Sequence, residues 1–467
     1  PEVTGYYIPT LIRWGYRELA VNYAEWLIGI QKADGSWYDT DDVSPYIFDT
    51  AQILKGLIAV REIYDSREKI DEAIKKGIDW ILGCMTDEGR LVTPDTACWG
   101  SDDNTCSELI HMYCLSPIAD AGRIFGRTDY IEKAEKILKY YKDNYYDKIM
   151  NFSLLSHFYA YVMEALIDMG ETDMAVEAMA KIADIQKASG AVPAYKNVDW
   201  VCSTGLFQFA LVWFRIGDTE HGNKAFEYAC RLQNESGGWY GSYLSEDNCN
   251  EQNDYFPGAE ISWAVKYFLD ALYYKDVAEF NEQASDFIET ISKEDERYTV
   301  VRDIVACNGE GIRILDVGCG KGRYIKNLLE DFPDNKYAGV DISKNVMKWL
   351  DGSCAECKEG TLTCIPYDDN TFAVTYTCEA LEHAIDIENA VKEMVRVTKS
   401  NGYVVIIDKN KASYGMLEIG DWEQWPDESE LRCIMEKYCT SVEVKHGLAY
   451  ENMLSHDLFS AWIGIVK

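Results

Sequence analysis

The run Arg313-Ile-Leu-Asp-Val-Gly-Cys-Gly-Lys-Gly322 permits few folds, because a short apolar stretch leads straight into three glycines at alternate positions. Arg313 to Val317 suits a buried parallel strand, and Gly318, Gly320 and Gly322 let the next turn pass close beneath a ligand. About 20 residues later Tyr337-Ala-Gly-Val-Asp341 reads as a second strand ending in an acid, where a carboxylate can accept both hydroxyls of a ribose. The pair predicts a nucleoside-cofactor site. Its spacing narrows the ligand: a dinucleotide fold seats a pyrophosphate on G-x-G-x-x-G, whereas these glycines follow Asp316, an acid better suited to a cationic ligand.

A chain of 467 residues exceeds what one hydrophobic core normally supports, so two domains are expected. Forty-five basic against 79 acidic side chains leave a net charge of −34, which repels phosphate backbones and argues against nucleic acid as a partner. No apolar run is long enough to span a bilayer, and no basic-then-apolar leader opens the sequence. The 15 cysteines are scattered, several of them within expected helices and strands, which fits a reduced, cytoplasmic protein better than a disulfide framework.

Beyond the glycine turn, Tyr367-Asp-Asp-Asn-Thr-Phe372 leads into a strand, Ala373 to Thr377, and then Cys378-Glu-Ala-Leu-Glu-His383. Glu393 to Gly402 followed by Tyr403 to Asp408 reads as helix, turn and strand. In this order, these segments resemble the motifs of class I S-adenosylmethionine-dependent methyltransferases. The resemblance implies an α/β doubly wound, Rossmann-like domain over residues 296–467 with S-adenosyl-L-methionine as cofactor. It implies cofactor contacts from Asp316, Gly318, Cys319, Gly320, Gly322, Asp341, Ile342, Thr361, Leu362 and Cys378. At Glu359-Gly-Thr-Leu-Thr363 a hydroxyl stands where many relatives carry an acid. Val442 to Leu448 and Leu458 to Val466 would complete the sheet as its antiparallel edge. For a hydroxyl acceptor, His383 is the first candidate base and Asp408, at the end of the fifth strand, the second. Tyr414, Glu418, Trp422 and Trp425 could form an acceptor lid.

Residues 1–275 carry a recurrent phrase: Ile30-Gln-Lys-Ala-Asp-Gly-Ser-Trp37, Gly83 to Gly89, Ile185-Gln-Lys-Ala-Ser-Gly190 and Leu232-Gln-Asn-Glu-Ser-Gly-Gly-Trp239. Its glycines recur at roughly 50 residues or a multiple of that, the signature of stacked supersecondary units. Between them, apolar periodicity predicts helices in pairs from Phe48 to Leu232, with another starting at Ile261. Such hairpins bury both faces only by closing into an all-α (α/α) toroid. This half resembles the terpenoid-cyclase and protein-prenyltransferase toroids, through its Q-x-x-x-G-x-W phrases, and the six-hairpin toroids of carbohydrate-active enzymes. By that analogy Tyr46, Phe48, Asp49, Trp99, Asp103, His157, Trp200, Tyr255, Glu260 and Trp263 line a central cavity, and Asp49, Trp99, His157, Glu260 and Trp263 are the candidate substrate contacts. Asp39-Thr-Asp-Asp42 matches the acid motif of class II terpene cyclases, although after Trp37-Tyr38 it reads first as a capped loop. His111 and Cys114 share a helix face without an evident third ligand, so no metal is expected. Residues 276–295 form a charged linker, with a boundary near residue 290. The combined expectation is a methyltransferase acting foremost on a sugar hydroxyl of a glycan or glycolipid precursor; the alternatives are an isoprenoid or other small natural product as acceptor, or a toroid that serves as a protein- or peptide-binding scaffold.

Overall fold

The structure, a computed structural model, describes residues 1–94, 108–245, 248–353, 355–420, 423–449 and 458–467. Trp99, Asp103 and Trp422 lie outside the described residues. The chain divides into two compact units, Pro1–Ile12 with Arg17–Ala278, and Arg13–Tyr16 with Glu279–Lys467.

The first unit is helical. Helices α1 (Glu2–Arg13) and α2 (Arg17–Ile30) precede the pairs α3 (Ile47–Val60) with α4 (Arg67–Gly83), α5 (Leu115–Phe125) with α6 (Thr128–Ile149), α7 (Ser156–Asp168) with α8 (Thr172–Ala183), and α9 (Ser203–Ile216) with α10 (Thr219–Arg231). Helix α11 (Ser262–Glu282) follows, and β1 (Val201–Cys202) pairs with β2 (Ser242–Tyr243) as a two-stranded antiparallel ribbon. In the apolar pairs one helix is buried almost all round, as in α9, while its partner buries only a stripe, as in α10. That asymmetry separates an inner helix from an outer one. The recurrent phrase is a clasp between them. Gln31 Nε2 donates to the carbonyls of Gly35 (3.0 Å) and Ala73 (2.9 Å), and Gln186 Nε2 donates to those of Gly190 (3.3 Å) and His221 (3.1 Å). Trp37 and Trp239 each donate their indole N–H ten residues back, to Leu27 O at 2.7 Å and Ala229 O at 2.8 Å. Gly35, Gly89, Gly190 and Gly237 all have φ between +88° and +104°, which only glycine adopts without strain. Helix α11 bonds back to α1, where Thr10 Oγ1 donates to Asp270 at 2.8 Å.

The second unit is a mixed seven-stranded sheet in the order β5-β4-β3-β6-β7-β9-β8. Its strands are β3 (Arg313–Val317), β4 (Lys336–Asp341), β5 (Glu356–Glu359), β6 (Phe372–Cys378), β7 (Thr398–Lys409), β8 (Cys439–Leu448) and β9 (Phe459–Val466). The first five are parallel; β9 runs antiparallel between β7 and β8, so β8 is the edge on that side and β5 the opposite edge. Alternate residues of one strand serve two cores. Ile314, Val405 and Ile407 pack with helix α12 (Glu296–Cys307) and α13 (Arg323–Asp331), while Leu315, Val404 and Ile406 pack with α15 (Ile387–Val397) and α16 (Glu428–Tyr438). The short α14 (Lys344–Met347) follows β4. Chain order reverses between β3 and β6, and ligands of open α/β sheets bind outside the strand ends at such a reversal.

Candidate functional site

At the end of β3, Gly318, Gly320 and Gly322 have φ of +78°, +51° and +75°. A Cβ on Gly318 would collide with Ala380, just past β6, and one on Gly322 with Leu350; Gly320 is roomier, its nearest neighbour being Val346 Cγ1 at 3.8 Å. The turn is therefore pinned on both sides with open space at its middle. Over that space stands Asp341, whose Oδ2 accepts the Gly320 N–H (2.8 Å) and whose Oδ1 accepts the Ser343 N–H (2.9 Å). Burial raises its pKa and these main-chain donors oppose the rise. Each oxygen keeps an unused lone pair, so the carboxylate can still receive two vicinal hydroxyls.

The other expected cofactor residues have varied surroundings. Asp316 is buried within β3, accepts the Tyr376 hydroxyl at 3.0 Å, and is pushed by burial to a pKa of about 7. Cys319 is buried between the glycines, and Cys378 lies 2.8 Å from the Tyr324 hydroxyl. Ile342 is half-buried directly after Asp341, and Leu362 packs against the second sheet core. Thr361 donates its hydroxyl to the Arg13 carbonyl at 3.2 Å.

Beyond β6 and β7, His383 is one-third exposed, with Nε2 3.7 Å from Glu382 Oε1 and its ring edge-on to Phe280 at 5.3 Å. Burial lowers its pKa; Glu423 opposes the shift and Lys409 adds to it. Asp408 is fully buried and accepts the N–H groups of Lys409 (2.8 Å) and Glu382 (3.1 Å), so it ties the two strand exits together. Among the described residues Glu382, His383 and Glu423 bring ligand atoms within 4.8 Å of one another. Lys409 Nζ already sits 2.7 Å from Glu382 and 3.8 Å from Glu423, so a lysine supplies the cation of this cluster. Trp425 is buried and donates to Glu423 at 3.0 Å, whereas Tyr414 and Glu418 are exposed.

Two groups of residues had no sequence signal. Arg297, 1% exposed, pairs with Asp295 (2.8 Å) and with Glu379, which Arg323 also reaches at 3.1 Å. Glu379 has φ +57°, an unfavourable conformation held by this double guanidinium clamp at the exit of β6. Residues 280–285, expected as linker, are part of the second unit. Asn281 Oδ1 accepts from Ser343 Oγ (2.7 Å), and Lys321 donates to Ser285 O (2.9 Å).

In the first unit the expected substrate residues separate. His157 is buried, with Nδ1 2.5 Å from Gln208 Oε1, and Gln208 donates to Glu164 at 2.9 Å. Its ring lies 4.7 Å from Tyr161 and 5.9 Å from Tyr255, whose hydroxyl is 3.0 Å from the Trp263 indole nitrogen. Asp49 is also buried; desolvation raises its pKa to about 7, and its Oδ1 has no hydrogen-bond partner. Glu260 is exposed and accepts from Asn234 (2.9 Å) and from Ser236, closing the last clasp instead of facing the aromatic interior. Asp39 accepts the Val43 N–H (2.9 Å) and Asp42 pairs with Lys32 (2.6 Å), so the D-x-D-D run is a capped loop. His111 Nδ1 bonds the Tyr141 hydroxyl at 3.1 Å within the core.

Residues 315–406, which span β3 to β7, match the family of methyltransferase domains, so the second unit contains such a domain. The chain is 30% identical over 114 residues to the demethylmenaquinone methyltransferase of Roseiflexus castenholzii, covering 24% of this chain and 48% of that protein. It is 28% identical over 232 residues to 24-methylenesterol C-methyltransferase 3 of Arabidopsis thaliana, covering 45% and 62%. The chain spans about half the length, or less, of the first curated relatives it matches. A solved S-adenosylmethionine-dependent methyltransferase of Thermotoga maritima, possibly a histamine N-methyltransferase, aligns with TM-score 0.31 and 19% identity over 40% of this chain and 98% of its own.

Proposed function

We propose that the protein transfers a methyl group from S-adenosyl-L-methionine to a hydroxyl-bearing acceptor. The observation that carries this reading is the Asp341 carboxylate held over the open middle of the glycine turn, which fits a ribose above a close-passing backbone. Bound there, the sulfonium supplies an already activated methyl group. The protein then has to align the acceptor and remove its proton. Asp341 orients the ribose, and Gly318 to Gly322 let the backbone lie close beneath the ligand. Asp316 adds negative charge below it. His383, neutral at pH 7 because burial lowers its pKa, accepts the hydroxyl proton. Asp408 ties the turn that carries His383 to the end of β7, where Lys409 sits.

His383→Ala should lower turnover by ~10²–10⁴-fold while S-adenosylhomocysteine affinity stays unchanged. Because the pKa is lowered, the base form persists to more acidic pH than for an ordinary histidine, and the acid limb of the rate profile should lie below that range. Full activity in His383→Ala would remove the base role. Asp316 gives a separate pH signature. With its pKa near 7, it is neutral in acid and charged in base, so affinity for the cationic cofactor should fall as pH drops through 7. The fall approaches tenfold per unit at most, and Asp316→Asn should flatten it in calorimetric titrations.

For the acceptor we propose a sugar hydroxyl of a glycan or glycolipid precursor, with the helical unit as an α/α toroid that holds it through His157, Asp49 and Trp263. Buried aromatic rings beside hydrogen-bonding side chains support a ligand with hydroxyls and apolar faces. An isoprenoid-derived acceptor is the second reading, favoured by the quinone and sterol methyltransferases among the relatives. No described helix is long and apolar enough to cross a membrane. Radiolabelled methyl transfer to oligosaccharides, polyprenyl glycolipids, quinones and sterols decides between the two. Labelling of quinones or sterols alone would overturn the glycan reading.

A further inference from the structure

The cofactor turn contains a thiol that no methyl-transfer step uses. Cys319 lies between Gly318 and Gly320 and is buried, and its main-chain N–H bonds Val340 O at 3.0 Å. Its sulfur points over β4 at Gly339, the one position of Tyr337–Asp341 without a side chain. A Cβ on Gly339 would lie 2.7 Å from Cys319 Sγ and 3.3 Å from Cys357 Sγ. Cys357 arrives there because β5 pairs Cys357 with Gly339. The glycine thus makes room for two facing sulfurs, one from the cofactor turn and one from the neighbouring strand. Both are free thiols, and Cys319 S–H is hydrogen-bonded to Cys357, which draws the Cys357 pKa below that of an ordinary thiol. Burial is asymmetric: Cys319 is enclosed, whereas Cys357 is half-buried and forms part of the wall of a cavity of about 360 Å³ bordered by Lys344, Lys348 and Ser353.

We propose that Cys357 and Cys319 form a thiol-oxidation site, at which a hydroperoxide converts the pair to a disulfide and thereby weakens cofactor binding. Cys357, reached from the cavity, is the attacking thiolate. Its sulfur displaces hydroxide from hydrogen peroxide, giving a sulfenic acid. The Cys319 sulfur then attacks that sulfur, the S–OH bond breaks and water leaves. Overall, two thiols and one peroxide give one disulfide and two waters, so the sulfurs are oxidised and the peroxide oxygens reduced. A disulfide requires an S–S separation of about 2.05 Å, closer than any hydrogen-bonded pair, so Cys319 must be drawn toward β5. Gly320, the next residue, donates the N–H that holds Asp341, and the pull displaces that donor.

The effect on binding rests on the cofactor reading above; the disulfide itself does not. The full chain is treated with hydrogen peroxide, digested without reduction and analysed by mass spectrometry, and S-adenosylhomocysteine affinity is measured before oxidation, after it, and after dithiothreitol. We expect a Cys319–Cys357 cross-linked peptide two hydrogens lighter than the reduced pair, with affinity reduced at least tenfold and restored by reductant. Cys357→Ser and Cys357→Ala should bind as the reduced protein does and keep that affinity in peroxide. Failure of reduced protein to bind S-adenosylhomocysteine would sink the cofactor reading alone. Absence of the cross-link, or oxidised protein with full affinity, would overturn this proposal.

Discussion

Replacing Asp341 with alanine should reduce S-adenosylhomocysteine affinity by two to four orders of magnitude. The carboxylate would receive two ribose hydroxyls, and each charge-assisted bond contributes roughly 1.5–3 kcal/mol. Removing it also leaves the Gly320 and Ser343 N–H groups, now bonded at 2.8 and 2.9 Å, without an acceptor. The turn therefore loses its anchor together with the ligand contact. Asp341→Asn separates these effects, since its amide oxygen can keep one main-chain donor while the charge is gone. Calorimetry should place Asn between wild type and Ala, and equal affinity in all three would refute the site.

The second large effect is on stability, and it comes with an internal control. Gly190 and Gly237 occupy equivalent places in two clasps, with φ of +97° and +88°. A Cβ on Gly190 would fall within the van der Waals envelope of the Lys224 carbonyl oxygen, a main-chain atom that cannot turn aside, whereas one on Gly237 meets nothing within 4 Å. Alanine at Gly237 should cost only the left-handed conformation, roughly 1–2 kcal/mol. At Gly190 a backbone collision adds to it, for a total of roughly 2–5 kcal/mol. Native-state hydrogen exchange across α9 and α10 compares the two within one fold. Equal losses would show that packing against Lys224 contributes nothing.

What could be read beforehand follows the range of the interactions involved. The Gly318 turn and Asp341 were legible because strand period and the need for positive φ leave marks within ten residues. The recurrent phrase was legible because the same local solution repeats, whereas the carbonyls that its Gln and Trp side chains reach were not. The Arg297–Glu379 clamp joins residues 82 apart, and neither has a local reason to be where it is. Lys409 and Glu382, 27 apart, likewise meet only once β6 and β7 are paired. Helix α1 hides behind Gly5 and Pro9, poor helix formers; yet a Cβ on Gly5 would collide with the backbone of Ile53 in α3, so the glycine is there for packing. From the sequence Glu260 is expected in a cavity because it stands near the start of a helix. That helix begins at Ser262, and the carboxylate turns back 26 residues to Asn234 instead.

The clasps also set the order in which the helical unit can come apart. Each is wired over a short loop, 42 residues from Gln31 to Ala73 and 35 from Gln186 to His221, whereas the Thr10–Asp270 bond spans 260. Loop-closure entropy rises with span, so short-range clasps re-form quickly after a fluctuation and the long seam re-forms slowly. Pulled from its ends, the unit should part at the α1–α11 seam first and then release its hairpins one at a time, giving a sawtooth of near-equal steps where a single-core domain would yield one rupture.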